Sequence, residues 1–182
     1  MDAIHVSAGS VFPHPRNPAG DFPVEEAVKT YDTMLSSGGG VLRNYLLLRS
    51  GPAAQIYRAT WIKARGDVIE GINLPDSRQV KKAVGIPVVC TGGFQTASFI
   101  RKALQDGDCD GVTIARPLIA NNDLVKLFAA GHDQPPKPCT YCNKCLVNVL
   151  ENPLGCYEVS RFGSREEMVA QIMSVFSPPP FA

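Results

Sequence analysis

The chain of 182 residues, with 45% hydrophobic and 19% charged content, has the composition of a globular protein with one sizeable core. A full (β/α)8 barrel usually takes about 250 residues, so eight βα units are excluded. A net charge of +1 with a pI near 7.6 leaves no basis for nucleic-acid binding, which needs a clustered basic surface.

No apolar run approaches the ~20 residues of a membrane span, and Asp2 and His5 stand where a leader peptide would be basic and then apolar. A cytoplasmic, reducing setting is therefore expected. The six cysteines read as thiols or metal ligands before disulfides.

In chain order, residues 3–8 predict a strand that begins almost at the first residue, so the start reads as cut. His5 alternates with Ile4 and Val6 and is expected to pack against one face of a sheet, with Ser7 ending the strand. Residues 10–23 carry four prolines and a glycine, which predicts a loop. His14 and Arg16 in that loop are either ligand contacts or solvated charges.

Helical spacing runs from Val24 to Leu35 and stops at the glycines of residues 38–40. The following stretch, 41–70, interleaves Arg43, Arg49, Arg58, Lys63 and Arg65 with Tyr45, Leu46 to Leu48, Ile56, Tyr57, Trp61 and Ile62. Such a basic amphipathic piece can lie on an anionic membrane or dock a partner. Surface helices with one apolar face on the domain are the commoner case, and membrane contact is not expected.

Residues 71–85 predict a loop and then a helix, with Asp76 or Ser77 as N-cap and Gly85 as stop. The run 86–91 is a β-branched strand that breaks at Gly92-Gly93. A helix follows from Thr96 to Leu104, then a strand at 111–115 ending in Ala115-Arg116. This order is a βαβ unit with parallel strands. A closing helix is expected over 118–130, and a last amphipathic helix over 164–175 before a proline-rich tail.

The glycine pair lets a ligand approach backbone N–H groups closely, and the helix start beyond it favours an anion. Arg116 stands at the carboxyl end of the next strand, where α/β folds bind ligands. Together they form a candidate phosphate site; the plain alternative is a tight turn beside a surface charge.

Cys139, Cys142, Cys145 and Cys156 follow the spacing C-x2-C-x2-C-x10-C. Such steps bring thiolates within reach of one centre, either a structural zinc ion or an iron–sulfur cluster. Cys90 and Cys109 have no such spacing; Cys90 is expected inside the sheet and Cys109 in an Asp-rich turn.

The pairing of PVVCTGGF with DGVTIARPLIANNDL resembles the last two strands of the flavin-binding barrel in the Old Yellow Enzyme family of NADH:flavin oxidoreductases. The resemblance implies an α/β fold: an incomplete TIM (β/α)8 barrel of the last three βα units over residues 1–133. A cysteine-rich helical extension over residues 134–182 would follow it. It implies FMN as cofactor, with Gly92, Gly93, Ala115 and Arg116 on its phosphate and Ser7 and Gly9 at the rim.

NAD(P)H would be the co-substrate and a small molecule the acceptor. No catalytic residue is carried over, because the family's carbonyl-polarising and proton-donating side chains come from earlier barrel strands. The chain is therefore expected to be truncated and inactive alone, or to need a partner chain that completes the barrel.

The cysteine motif resembles that of the related 2,4-dienoyl-CoA reductase branch, where Asn also follows the second cysteine, as in Cys142-Asn143 here. That likeness implies a [4Fe–4S] cluster, although two gaps in the motif are each about a residue shorter here. The competing reading is a small iron–sulfur or zinc interaction module that keeps the barrel remnant as scaffold.

Overall fold

A computed structural model describes residues 2–8, 14–33 and 38–175. Gly9, Leu35 and the proline-rich tail, named above, lie outside the described residues. The chain divides into two compact units, one of Met1–Gly20 with Ala64–Tyr141 and the other of Asp21–Lys63 with Cys142–Ala182.

The first unit is α/β, with three parallel strands alternating with helices. Strands β1 (Ile4–Val6), β2 (Val88–Thr91) and β3 (Gly111–Thr113) pair in the order β1-β2-β3. Val6 is opposite Cys90, and Cys90 opposite Val112. All three are shorter than expected, and β2 begins only after Pro87, which has no N–H for a ladder.

Because side chains alternate across a strand, Val88, Cys90 and Val112 share one face. Against it pack Leu74, Phe94, Ile100, Ala103 and Cys109, brought by the helices α4 (Leu74–Ala83) and α5 (Ala97–Gln105) and their flanking turns. Val88, Cys90 and Phe94 are completely buried. Burial pushes the Cys90 thiol up to about 11, and this buried place is the expected one.

The opposite face carries His5, Thr91 and Thr113. His5 Nε2 and Thr113 Oγ1 share a hydrogen bond at 3.0 Å, and Thr91 Oγ1 bonds to both. Val89 sits on the same face beside this polar row, and His5 is exposed and held by two threonine hydroxyls rather than packed.

Acidic side chains tie α4 to the start of β3. Arg78 donates to both carboxylate oxygens of Asp108, at 2.6 and 2.8 Å, and Ser77 Oγ donates to the Asp108 carbonyl at 3.0 Å. Asp110 accepts from Lys81 Nζ at 2.5 Å and from the Val88 amide at 2.8 Å. Helix α4 starts earlier than expected, with Asn73 at the N-cap position and Pro75 in the first turn.

In place of one closing helix over 118–130 there are two, α6 (Arg116–Ala120) and α7 (Leu124–Ala129). The break falls at Asn121, whose extended backbone (φ −143°, ψ 92°) ends the first of them. Among the described residues no helix is long and apolar enough to cross a membrane.

The second unit is helical. Within the stretch 41–70 the helices are α2 (Gly39–Arg49) and α3 (Gly51–Arg65), whose last two residues belong to the first unit, and α1 (Val24–Thr33) precedes them. Phe22, Ala27, Leu48 and Trp61 make its core, flanked by Val24, Val28, Tyr31 and Tyr57. Phe22 packs edge-on to Tyr57 with ring centroids 4.9 Å apart and against Trp61 at 5.0 Å.

Helix α8 (Lys144–Asn148) lies on α1, with Lys144 Nζ paired to Glu158 at 3.2 Å. The last helix, α9 (Arg165–Val175), is capped reciprocally: Ser164 Oγ accepts from the Glu167 amide at 3.1 Å while Glu167 accepts from the Gly163 amide at 2.8 Å. Its Ile172 rests on Gly155, where an added Cβ would meet the isoleucine at 2.6 Å.

Candidate anion corner

The corner begins where β2 runs out. Its last carbonyls are taken up by the preceding turn: Asn73 Nδ2 donates to the Thr91 carbonyl and the Gly71 amide to the Gly92 carbonyl, each at 2.6 Å. Gly93 has φ +67°, a left-handed conformation that favours glycine. A Cβ there would also come within 2.8 Å of the Ile69 carbonyl. Only a glycine lets the chain turn this tightly against residues 69–73.

The helix start beyond the corner differs from expectation. The Gln95 and Thr96 amides donate to Glu70 Oε1 at 2.8 and 2.7 Å, and Thr96 Oγ1 to Glu70 Oε2 at 2.8 Å. The Ala97 amide donates to the Asp133 carbonyl at 2.9 Å and the Ser98 amide to the Asp133 carboxylate at 2.6 Å. The anion-seeking first turn of α5 is thus filled by the protein's own carboxylates. This corrects the expectation that the turn would serve a phosphate, and narrows the donor set to the glycine corner and Arg116.

Arg116 opens α6 immediately after Ala115, which takes the N-cap position. Its Nη1 donates to the Ala19 carbonyl at 2.5 Å, and its Cζ lies 5.4 Å from the centroid of the Tyr141 ring. The Tyr141 hydroxyl donates to the Gly93 carbonyl. One tyrosine therefore touches both halves of the expected site, the glycine corner and the guanidinium.

Tyr141 comes from the cysteine motif, and neighbouring contacts hold it. Gln95 pairs with Cys139 through both ends of its amide, accepting from the Cys139 amide at 2.9 Å and donating to the Cys139 carbonyl at 3.2 Å. The Tyr141 amide donates to Cys139 Sγ at 3.4 Å. Tyr141 itself has φ +55°, a cost of about 1–2 kcal/mol for a residue with a side chain, which its ring and hydroxyl contacts offset. Burial pushes its phenol well above the ordinary range, and the nearby Glu70 and Cys139 add to the shift.

Of the rim residues, Ser7 is exposed one position past β1, at the same end of the sheet as Gly92. Gly9 lies outside the described residues. Arg16 donates to the Ile72 carbonyl at 3.2 Å and sits 3.7 Å from Asp76, so it braces the turn beside the corner. His14 lies exposed at a tight turn, its carbonyl accepting from the Asn17 amide at 2.7 Å.

Sequence reasoning missed Tyr141, Glu70, Gln95 and Asp133. A signal was present for Tyr141 alone: an aromatic residue inside a cysteine motif that does not need one.

The four motif cysteines form no disulfide. In the first unit Cys139 is held by Gln95 as described. In the second, Arg161 Nη1 donates to Cys156 Sγ at 3.1 Å. Among the described residues no group of three or more His, Cys, Asp or Glu is arranged to hold a metal ion. The expectation of an iron–sulfur cluster finds no support in this arrangement.

The parallel three-stranded sheet thus carries a glycine corner and an arginine at the carboxyl ends of adjacent strands. No family model matches the chain. It is 34% identical over 76 residues to a bilirubin reductase of Mediterraneibacter gnavus, a match that covers 42% of this chain and 12% of that protein. It is 32% identical over 91 residues to a metal reductase of Desulforamulus reducens, covering 49% and 14%.

A multifunctional alkene reductase/demethylase of Caballeronia cordobensis is 31% identical over 83 residues, covering 44% and 12%. The chain thus spans under a fifth of the length of these relatives. A little under half of it is homologous to members of the Old Yellow Enzyme group of flavin oxidoreductases.

Proposed function

We propose that this chain forms the phosphate end of an FMN site, as part of a TIM-barrel oxidoreductase that moves hydride from NAD(P)H to a small acceptor. The observation that carries this reading is the convergence of Gly93 and Arg116 on one tyrosine. It puts the Gly93 corner and a guanidinium at one end of the sheet, and on this reading the corner's N–H groups and Arg116 are the phosphate's donors. The homology to flavin oxidoreductases supports a flavin phosphate as the ligand.

When bound, FMN supplies the ring that accepts and donates hydride. This chain's residues bind and orient. Gly92 and Gly93 permit close approach of the backbone, Ala115 sets the start of α6, Arg116 neutralises charge, and Ser7 stands at the rim. The inner row of His5, Thr91 and Thr113 lines the sheet face on which the rest of a barrel, from the same or a partner chain, would close.

The test compares FMN with riboflavin, which differ by the phosphate. Equilibrium titration of the purified chain should show FMN binding at least tenfold tighter than riboflavin, and Arg116→Ala should remove that preference. Equal affinities, or a preference that survives Arg116→Ala, would sink the reading.

A further inference from the structure

Helix α2 is apolar on two sides, α3 adds the exposed Ile56 and Ile62, and the core of the second unit uses only the inward sides. In α2 the inward stripe is Val41, Asn44, Tyr45 and Leu48, all partly or fully buried. The outward stripe is Leu42, Arg43, Leu46, Leu47 and Arg49, all exposed, with Leu46 at 58%. At 100° per residue these five occupy one continuous arc. In α3, Ala54, Tyr57 and Trp61 turn inward while Ile56, at 66% exposure, stands one helical face with Lys63.

A helix apolar all round is covered on both sides or lies at an apolar boundary. Charge decides between possible covers. From Gly38 to Gly66 there are five basic residues and no acidic one. Asp21 neutralises Arg58, with Arg58 Nε 2.9 Å from its carboxylate. Arg43, Arg49, Lys63 and Arg65 take part in no ion pair among the described residues.

A second copy docked face to face through this patch would set cations against cations. Helix faces that present leucines and isoleucine beside cations outside any ion pair among the described residues match an interface that is apolar below and anionic above.

We propose that the outward faces of α2 and α3 bind the surface of an anionic lipid bilayer, the leucines and Ile56 entering the acyl boundary and the arginines and Lys63 meeting headgroup phosphates. The arginine and lysine stems lie along the apolar surface while their charges stay at the headgroup level. This does not depend on the flavin reading, since every residue involved belongs to the α2–α3 stretch.

The test is co-sedimentation of the full chain with vesicles of phosphatidylglycerol and phosphatidylcholine, against vesicles of phosphatidylcholine alone. The chain should pellet with the first and stay in solution with the second. Leu46→Asn with Ile56→Asn, and separately Arg43→Gln with Lys63→Gln, should each cut binding about tenfold or more while leaving the circular dichroism spectrum unchanged. All four positions are exposed, so folding should survive.

A chain that stays in the supernatant with anionic vesicles overturns the proposal. So does vesicle binding indifferent to the Leu46 and Ile56 changes, which would mean a surface for acidic polymers, proteins included. Self-association abolished by those changes in the absence of vesicle binding would assign the face to a second copy instead.

Discussion

Tyr141 holds the corner by two contacts of different kinds, and the two can be separated. Its hydroxyl satisfies the Gly93 carbonyl, while its ring faces the Arg116 guanidinium and limits where that cation can point. Tyr141→Phe removes the first contact and keeps the second, leaving a carbonyl without this donor at a cost of about 1–3 kcal/mol. Tyr141→Leu removes both.

On the proposed function, FMN affinity should fall about tenfold in Tyr141→Phe and further in Tyr141→Leu, with riboflavin affinity changed much less. Parallel titrations with the two flavins read this out. Equal losses for both would make Tyr141 a packing residue and nothing more. Gly92, Gly93 and Arg116 were legible in the sequence because glycine pairs and a strand-end arginine announce backbone approach and charge. Tyr141 was marked only as an aromatic inside a cysteine motif, because its role comes from the fold that returns residue 141 to residue 93.

The elements around the sheet depend on paired carboxylates, and pH is the lever that exposes them. The hydrogen bonds from Arg78 hold the Asp108 carboxyl below the usual range; Lys81 and the Val88 amide do the same for Asp110. A lowered folded-state value means that the stabilisation is complete above the ordinary carboxylate range, near 4, and is lost as pH falls through the folded-state value.

Asp108→Asn should therefore destabilise the first unit by about 1–3 kcal/mol at neutral pH, with the difference from the parent chain shrinking below about pH 4. Urea melts at several pH values measure it, and a pH-independent difference would show that packing and not charge is lost. The pattern β2–α5–β3 could be read from β-branched runs and a helical period. The helix break at Asn121 and the capping of α5 by Glu70 and Asp133 could not, because those caps arrive from 25 and 35 residues away and leave no local trace.

At the scale of the molecule, the described residues supply three parallel strands whose outer face is packed and whose inner face is open and carries a polar row. Val88, Cys90 and Val112 have helices over them, whereas His5 and Thr113 face solvent. The polar row changes what an incomplete barrel should do. An apolar inner face would drive collapse or aggregation, but a histidine bonded to two threonine hydroxyls tolerates water.

The chain should then stay folded and grip FMN chiefly by its phosphate, with the ring still reached by solvent. The expected behaviour is flavin fluorescence close to that of free FMN, iodide quenching nearly as efficient as in solution, and NADH oxidation no faster than with the same concentration of free FMN. Strong quenching of the flavin together with turnover above the free-FMN rate would mean that these three strands, or an assembly of several copies, build the whole site. In that case the polar row of His5, Thr91 and Thr113 would have to be counted among the residues that face the ring.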